Sequence, residues 1–328
     1  MTAAVPSSTL LRRLMLLDSA SLYFRAFHGV PETITAPDGT PVNAVRGFLD
    51  MVSTLVTLRR PHRLVACWDE DWRPAFRVAA IPSYKAHRLA NAASNLEQVP
   101  AALAAQVPVI AAVLAAVGIA RVGAPGLEAD DVIGTLAAHD LAAHAGVRAD
   151  VDVVTGDRDL FQLVDDAAGV RVLYTGRGVR NLETVDEAWL ARTYGVPTGP
   201  AYADLAVLRG DPSDGLPGVT GIGEKTGAAL ISRYGSLEGL LAAVRDQDAA
   251  LSPGVARRLT AAADYLAVAP RVVRVIRDAP LPPVADTAPA TPADPDAVVE
   301  LGRRWGLDSS LARLVEALST AATAAGPV

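Results

Sequence analysis

The stretch GLEADDVIG (126–134) sets three carboxylates, Glu128, Asp130 and Asp131, within four positions directly before an apolar run. Acids in a first helical turn oppose the macrodipole, so part of this crowding has an ordinary explanation. A cation held between the carboxylates is the other explanation. Six further acids recur in similar settings: Asp18 after LRRLMLL, Asp69 after RLVACW, Asp157 and Asp159 in VTGDRD, and Asp211 and Asp214 in RGDPSDG. Neither His nor Cys recurs among the nine, which disfavours zinc. An all-oxygen set suits Mg²⁺ or Mn²⁺, with water and substrate phosphate completing the shell. Two such ions about 4 Å apart can generate hydroxide and stabilise a leaving oxygen in phosphodiester hydrolysis. Any one pair of acids is, in most chains, a cap or a solvated face. Five such groups at the ends of different elements reverse that weighting.

The elements that must hold these acids are legible in outline. LRRLMLLD, RLVACWDED, IARV, VDVVTGDRD and GVRVLY read as strands, separated by helical patterns such as NAVRGFLDMVSTLVTLRR and the helix opened by GLEADD. Buried strands alternating with helices predict a mostly parallel sheet of α/β type flanked by helices. In such sheets ligands bind beyond the carboxyl ends of the strands, where Asp18, Asp69, Asp157 and Asp159 all fall. From about residue 186 the pattern becomes helical and Gly-punctuated. The Pro-, Ala- and Asp-rich run 279–296 reads as an exposed connection, and a closing helical pair follows it.

The chain has 328 residues, 51% hydrophobic and 20% charged, enough for one large or two modest domains. Its single cysteine, Cys67, excludes an internal disulfide and fits a reducing cytoplasm. No run approaches the roughly 20 apolar residues of a membrane span, and the start does not read as a signal peptide. A net charge of −6 argues at first against a nucleic-acid partner, but local charge decides an interface and metal-binding acids depress the total. Of the 30 basic residues only Lys85 and Lys225 are lysines, which marks two places where a guanidinium would not serve.

Five stretches carry a resemblance: LLDSASLYFRAFH (16–28), WDEDWRPAFRVAAIPSYKAHR (68–88), GLEADDVIG, VTGDRDLFQLV (154–164) and LRGDPSDGLPGVTGIGEKTGAALISRYGSLEGL (208–240). In this order they resemble the 5′-nuclease family, which includes the N-terminal domain of bacterial DNA polymerase I, phage 5′-exonucleases and flap endonucleases. The likeness runs from about 16 to 316, as in a stand-alone member without a polymerase domain. It implies a PIN-like α/β catalytic core over 1–185 with a helical arch near 80–100. It also implies a helical DNA-binding region over 186–328 with a helix–two-turn–helix near 217–245. The implied enzyme is a monomeric, cytoplasmic 5′-3′ exonuclease or 5′-flap endonuclease of DNA replication and repair. Its substrates are DNA with a 5′ end, flap or nick, and RNA in RNA–DNA hybrids.

Carried over residue by residue, the resemblance assigns Asp18, Asp69, Glu128 and Asp130 to one Mg²⁺ or Mn²⁺ ion. It assigns Asp159, Asp211 and Asp214 to a second, with Asp131 and Asp157 between them. Lys85 stands at the base of the arch, where an ammonium offsets charge on the reacting phosphate, and Arg88 holds the same phosphate from another direction. Tyr23, Arg25 and Tyr84 meet the unpaired strand, the aromatics by stacking, with core packing the alternative for Tyr23. GVTGIGEKTG lacks the preceding strand of a dinucleotide fold. It is similar to the turn that grips the duplex backbone, here through Gly221, Gly223, Lys225 and Thr226, with K⁺ assisting in relatives. Two departures stand out. Gly215 occupies a position where the family commonly has Asn, which predicts a loose loop and a weakly held second ion. The segment after Asp69 is one residue longer than the family's, leaving Arg73 and Arg77 unassigned. A PIN-like ribonuclease and a branched-DNA-binding protein that does not cut are the rivals; the C-terminal region counts against the first and the nine acids against the second.

Overall fold

The computed structural model describes residues 13–90, 96–144 and 148–324. Strand β1 (Leu14–Asp18) is buried at every position, as a strand covered on both faces must be. It lies between β2 (Arg63–Cys67) and β4 (Val151–Thr155); β3 (Ala120–Val122) flanks β2, and β5 (Val170–Tyr174) and β6 (Glu183–Val185) complete the order β3-β2-β1-β4-β5-β6. Every pairing is parallel except β5–β6. Alternation along the strands divides the core: Leu14, Leu16, Val65 and Cys67 face one layer, Met15, Leu17, Leu64 and Ala66 the other.

Helices α1 (Ser19–Gly29) and α2 (Asn43–Arg59) join β1 to β2. Between β2 and β3 come α3 (Ala75–Ala80), α4 (Ala101–Ala104) and α5 (Val107–Val117), and α6 (Ala129–Ala143) leads to β4. Beyond the sheet follow α7 (Glu187–Tyr194), α8 (Gly199–Arg209), α9 (Glu224–Tyr234), α10 (Leu237–Arg245), α11 (Pro253–Ala261) and α12 (Ala263–Val273). Two last helices, α13 (Pro295–Trp305) and α14 (Asp308–Ala324), end the described chain. The core layer facing Leu14 is filled from α6, α8, α9 and α12, and the layer facing Met15 from α1, α2, α5 and α14. Chain order reverses at β1, which has β2 on one side and β4 on the other, so a crevice opens past their carboxyl ends. No described helix is long and apolar enough to cross a membrane.

Two expectations are corrected. The segment near 80–100 holds no arch helix among the described residues, only a 3₁₀ turn at Ala86–Arg88 and an antiparallel bridge between Leu89 and Glu97. Pro82 ends α3, and Lys85 takes a left-handed φ of 48°, which breaks helical continuation; residues 91–95 lie outside the described residues. The run 279–296 is mostly exposed, as expected of a connection. It is tied to the amino end of β2: Leu64 N donates to Asp286 O at 2.7 Å, Ala288 N to His62 O at 2.9 Å, and Arg63 pairs with Asp286 at 2.6 Å. Finally, α13 and α14 do not extend the C-terminal helical region but return to pack on α5 and α2.

Candidate active site

Past the carboxyl edge of the sheet lies a cleft of about 840 Å³. Asp18 ends β1 and caps α1: one oxygen accepts the Ser21 amide at 3.0 Å, the other the Thr155 hydroxyl at 2.6 Å from the end of β4. Asp69, just past β2, accepts the Ala129 amide at 2.7 Å and so ties that strand to the start of α6. Glu128 is the N-cap of α6 and Asp130 stands in its first turn. Asp157 and Asp159 follow β4, the first accepting the amide of the second at 2.9 Å. Asp211 comes from the turn after α8, where its side chain accepts the Ser213 amide at 2.8 Å. All seven line the cleft, as do Lys85 and Arg88.

The electrostatics are those of crowded acids. Burial pushes the Asp18 carboxyl up to about 7, with Asp69 and Asp157 adding to the rise and Thr155 opposing it. Asp69 is raised by the same loss of water and by Glu128. Asp130 and Asp159 sit well above the usual carboxylate range, through desolvation first and then the charge of Asp157. Burial works against the Lys85 ammonium, but Glu128, Tyr84 and Asp214 together outweigh it and hold the proton on; its Nζ donates to Glu128 Oε1. Arg88 pairs with Asp214 at 2.7 Å and donates to Ser213 O at 3.0 Å. Counting Glu97, eight carboxylates line the cleft against Arg25, Lys85, Arg88 and Arg158. That excess, on oxygen donors alone, fits hard divalent cations. Among the described residues no three such side chains close on one point.

Several expected site residues lie elsewhere. Asp131 is fully buried and outside the cleft lining, its carboxylate bonded by Arg77 at 2.7 and 2.8 Å and by the Ile276 amide at 2.9 Å. Neighbours on a helix point about 100° apart, and here the offset turns Asp130 to the cleft and Asp131 to Arg77. Asp214 is buried at the rim against Arg88. Tyr84 is buried, with Lys85 and Arg77 near its ring and its hydroxyl donating to Glu128 Oε2 at 2.7 Å, so it braces an acid rather than stacking on a base. Tyr23 packs against Trp68 and Phe24, and it is Phe24 that lines the cleft. Arg25 also lines it, donating to Gly176 O at 3.3 Å.

The loop at Gly215 is close-packed, not loose. Gly215 has φ +72°, and a Cβ there would come within 2.1 Å of Ser83 O. Ser83 Oγ donates to Gly215 O at 2.7 Å and Lys85 N to Asp214 O at 3.0 Å, so the loop is pinned to the segment carrying Lys85. Between α8 and α9 the chain makes two turns, the second of which, with α9 and α10, falls within the expected 217–245. The second is closed by Ile222 N donating to Val219 O at 2.8 Å, with Gly221 at φ +77°, the position that a type II turn reserves for Gly. Gly223 caps α9 with no side-chain hydrogen bond, and Lys225 and Thr226 are exposed in its first turn.

Sequence reasoning does not single out Phe24, Trp72 and Glu97 in the cleft, Arg77 behind it, or Arg258, which donates to Gly221 O at 3.3 Å and braces the turn. The adjacent Arg257 and Arg258 were an available signal for the last. Which of two adjacent aromatics faces a cleft depends on helix phase, which Tyr23-Phe24 alone does not set.

Comparison with known proteins accords with this geometry. A family model described as 5′-3′ exonuclease, N-terminal resolvase-like domain, matches residues 13–195, and one described as 5′-3′ exonuclease, C-terminal SAM fold, matches 198–296. A 5′-3′ exonuclease of Streptomyces coelicolor is 59% identical over 308 residues, covering 93% of this chain and 100% of that protein. A 5′-3′ exonuclease of Mycobacterium tuberculosis is 52% identical over 317 residues, covering 94% and 98%. The bacteriophage T5 D15 flap endonuclease, solved as a variant in a pseudo-enzyme–product complex with DNA and metal ions, shares the fold. Its TM-score is 0.61 at 19% identity, over 94% of this chain and 99% of that one. Two family models matched in sequence order, and relatives covered over nearly their whole length, place the chain in the 5′-3′ exonuclease family of nucleases.

Proposed function

We propose that this protein hydrolyses phosphodiester bonds near 5′ ends, nicks and flaps of DNA, and in the RNA of RNA–DNA hybrids, with two divalent ions, Mg²⁺ or Mn²⁺. The observation supporting this is one cleft in which seven acids from five element ends face Lys85 and Arg88. Asp18, Asp69, Glu128 and Asp130 would hold one ion, and Asp157, Asp159 and Asp211 the other. When bound, the ions supply an activated water and offset charge on the leaving oxygen. The remaining work falls to side chains. A phosphate entering the cleft offers Lys85 and Arg88 oxygens in place of Glu128 and Asp214, the ammonium as a compact charge and the guanidinium as a planar fork. Phe24 also borders an adjoining cavity of about 410 Å³ with His87, Arg88, Glu97 and Gln98, where an unpaired base would find an apolar face. The duplex would lie on the turns between α8 and α9, where Gly221 and Gly223 admit its backbone and Lys225 and the first amides of α9 meet phosphate.

The test is incubation of purified protein with 5′-labelled flap, nicked duplex and single strand, in Mg²⁺, Mn²⁺ or chelator. Cleavage near the flap junction that requires metal is expected. Undiminished cleavage in chelator, or no cleavage of any of the three, overturns the reading.

A further inference from the structure

One arginine behind the cleft joins three parts of the chain. Arg77 of α3 is only 2% exposed. Its Nε donates to Val272 O of α12 at 3.0 Å, its Nη1 to Glu128 Oε2 at 2.6 Å and Asp131 Oδ2 at 2.8 Å, and its Nη2 to Asp131 Oδ1 at 2.7 Å. Glu128 Oε2 also accepts the Tyr84 hydroxyl, and Oε1 accepts Lys85 Nζ. The Asp131 carboxylate is engaged in turn by Arg77, by the Ile276 amide beyond α12 and, at 3.4 Å, by the Glu128 amide. Burying a guanidinium with two carboxylates forfeits hydration that the pairing does little more than restore, so stability alone does not call for it. What the arrangement achieves is placement. Arg77 is fixed at one edge by α12 and on its fork by Asp131, and it offers Glu128 one bond from behind. Glu128 Oε1 is left on the side of Lys85 and the cleft.

We propose that Arg77 is a positioning residue for Glu128, and that Asp131 is the counter-ion of Arg77 rather than a metal ligand. The first half rests on the nuclease reading, because it concerns the acid placed at the ion; the second half does not. Through Val272 and Ile276 the same clamp ties Glu128 to α12, which packs on α8 beside the turns proposed to hold the duplex.

The test compares full-length Asp131→Asn, Asp130→Asn, Arg77→Met and the double variant Arg77→Met/Asp131→Asn. Melting temperature is read in chelator and in Mn²⁺, together with the Mn²⁺ midpoint for cleavage and the single-turnover rate at saturating Mn²⁺. Asp131→Asn should melt lower than wild type in chelator yet keep the wild-type Mn²⁺ midpoint, whereas Asp130→Asn should not melt lower in chelator. The double variant should regain melting temperature lost in Arg77→Met, since the Asp131 charge is no longer buried without its partner. Its rate should nevertheless stay about 10- to 100-fold down, the size of effect typical of groups that orient a metal-binding side chain. If Asp131→Asn keeps its melting temperature in chelator and moves the Mn²⁺ midpoint by about tenfold, Asp131 is a ligand and the proposal is overturned. A wild-type rate in the double variant removes the positioning role of Arg77. Should Arg77→Met not fold, the double variant and Asp131→Asn still decide both halves. Wild-type protein that neither cleaves nor melts higher in Mn²⁺ would sink the nuclease reading, while the chelator melts would still decide the role of Asp131.

Discussion

Strand β4 has a pair of aspartates at each end, and the fold treats the two pairs in opposite ways. At the amino end, Asp152 is wholly buried and meets Arg59 at 2.8 Å, Arg171 at 2.8 Å and Arg13 at 3.6 Å. Asp150 beside it pairs with Arg13 at 3.0 Å and also with Arg171. At the carboxyl end, Asp157 and Asp159 make no ion pair among the described residues, and neither do Asp18, Asp69 or Asp130 across the cleft. A chain with 28 arginines had counter-ions to spare, so the vacancy is a property of this end of the sheet. Acidic residues alone do not mark a site; these five make no ion pair in a cleft where carboxylates outnumber cations.

The strongest way to break the comparison is a pair of isosteric changes. Asp130→Asn is expected to lower cleavage by about a thousandfold or more, since several kcal/mol of charge stabilisation go with the ion. Its melting temperature in chelator should hold or rise, because one repelling charge is gone. Asp152→Asn should do the reverse. Removing one member of a buried pair costs about 3–5 kcal/mol, reduced here to about 2 kcal/mol because the arginines are partly exposed, while cleavage per folded molecule persists. Urea unfolding and single-turnover assays on both variants decide it; a stability loss in Asp130→Asn matching that of Asp152→Asn would erase the distinction between the ends.

Next in size is Lys85→Ala, expected to slow the chemical step about a hundredfold by removing charge from the reacting phosphate. Lys225→Ala should instead weaken duplex binding and flatten its salt dependence by about one unit of slope. Equal salt slopes for wild type and Lys225→Ala would move the duplex off the α8–α9 turns. Gly215→Asn sharpens the picture at the cleft rim: its Cβ meets Ser83 O, so melting temperature and cleavage should both fall. An improved metal midpoint in that variant would restore the loose-loop expectation.

The smallest effect is one of pH. Asp18 is raised from 3.8 to about 7 in the folded protein, so the fold binds a proton that the unfolded chain gives up. That stabilisation is complete below about pH 4 and is lost as pH climbs through 7. In chelator, wild type should therefore lose stability relative to Asp18→Asn between about pH 4 and pH 7. A difference that stays flat across that range would show that Asp18 is not strained by its neighbours.

Strand ends were the legible part of this protein. Short apolar runs stopping at Asp18 and Asp157, and one stopping just before Asp69, announced both the sheet and the edge where its ligands gather. What the sequence concealed was direction and partnership. Asp130 and Asp131 look equivalent in GLEADD, yet a single residue step along the helix, about 100°, sends the first to the cleft and the second to Arg77. Tyr84 looked like a stacking aromatic because nothing local tells that its hydroxyl reaches Glu128, 44 positions away. Gly215 suggested freedom, whereas it records the approach of Ser83 from a remote part of the chain.

The return of α14 to α2 sets a clock on the making of this protein. Arg313 bonds Asp50 across 263 positions, and Leu314 and Leu318 join the same core layer as Phe48, Leu49 and Val52. At roughly 5–20 residues per second, a ribosome reaches the last helix about a quarter of a minute or more after releasing the second. Only over the last part of that interval, once residue 211 is made, have all seven cleft carboxylates been synthesised while the apolar face of α2 still lacks the cover of α14. A chain stopped before the last helix would therefore carry all seven cleft acids and still expose the apolar residues of α2 that α14 covers, the kind of surface that drives aggregation.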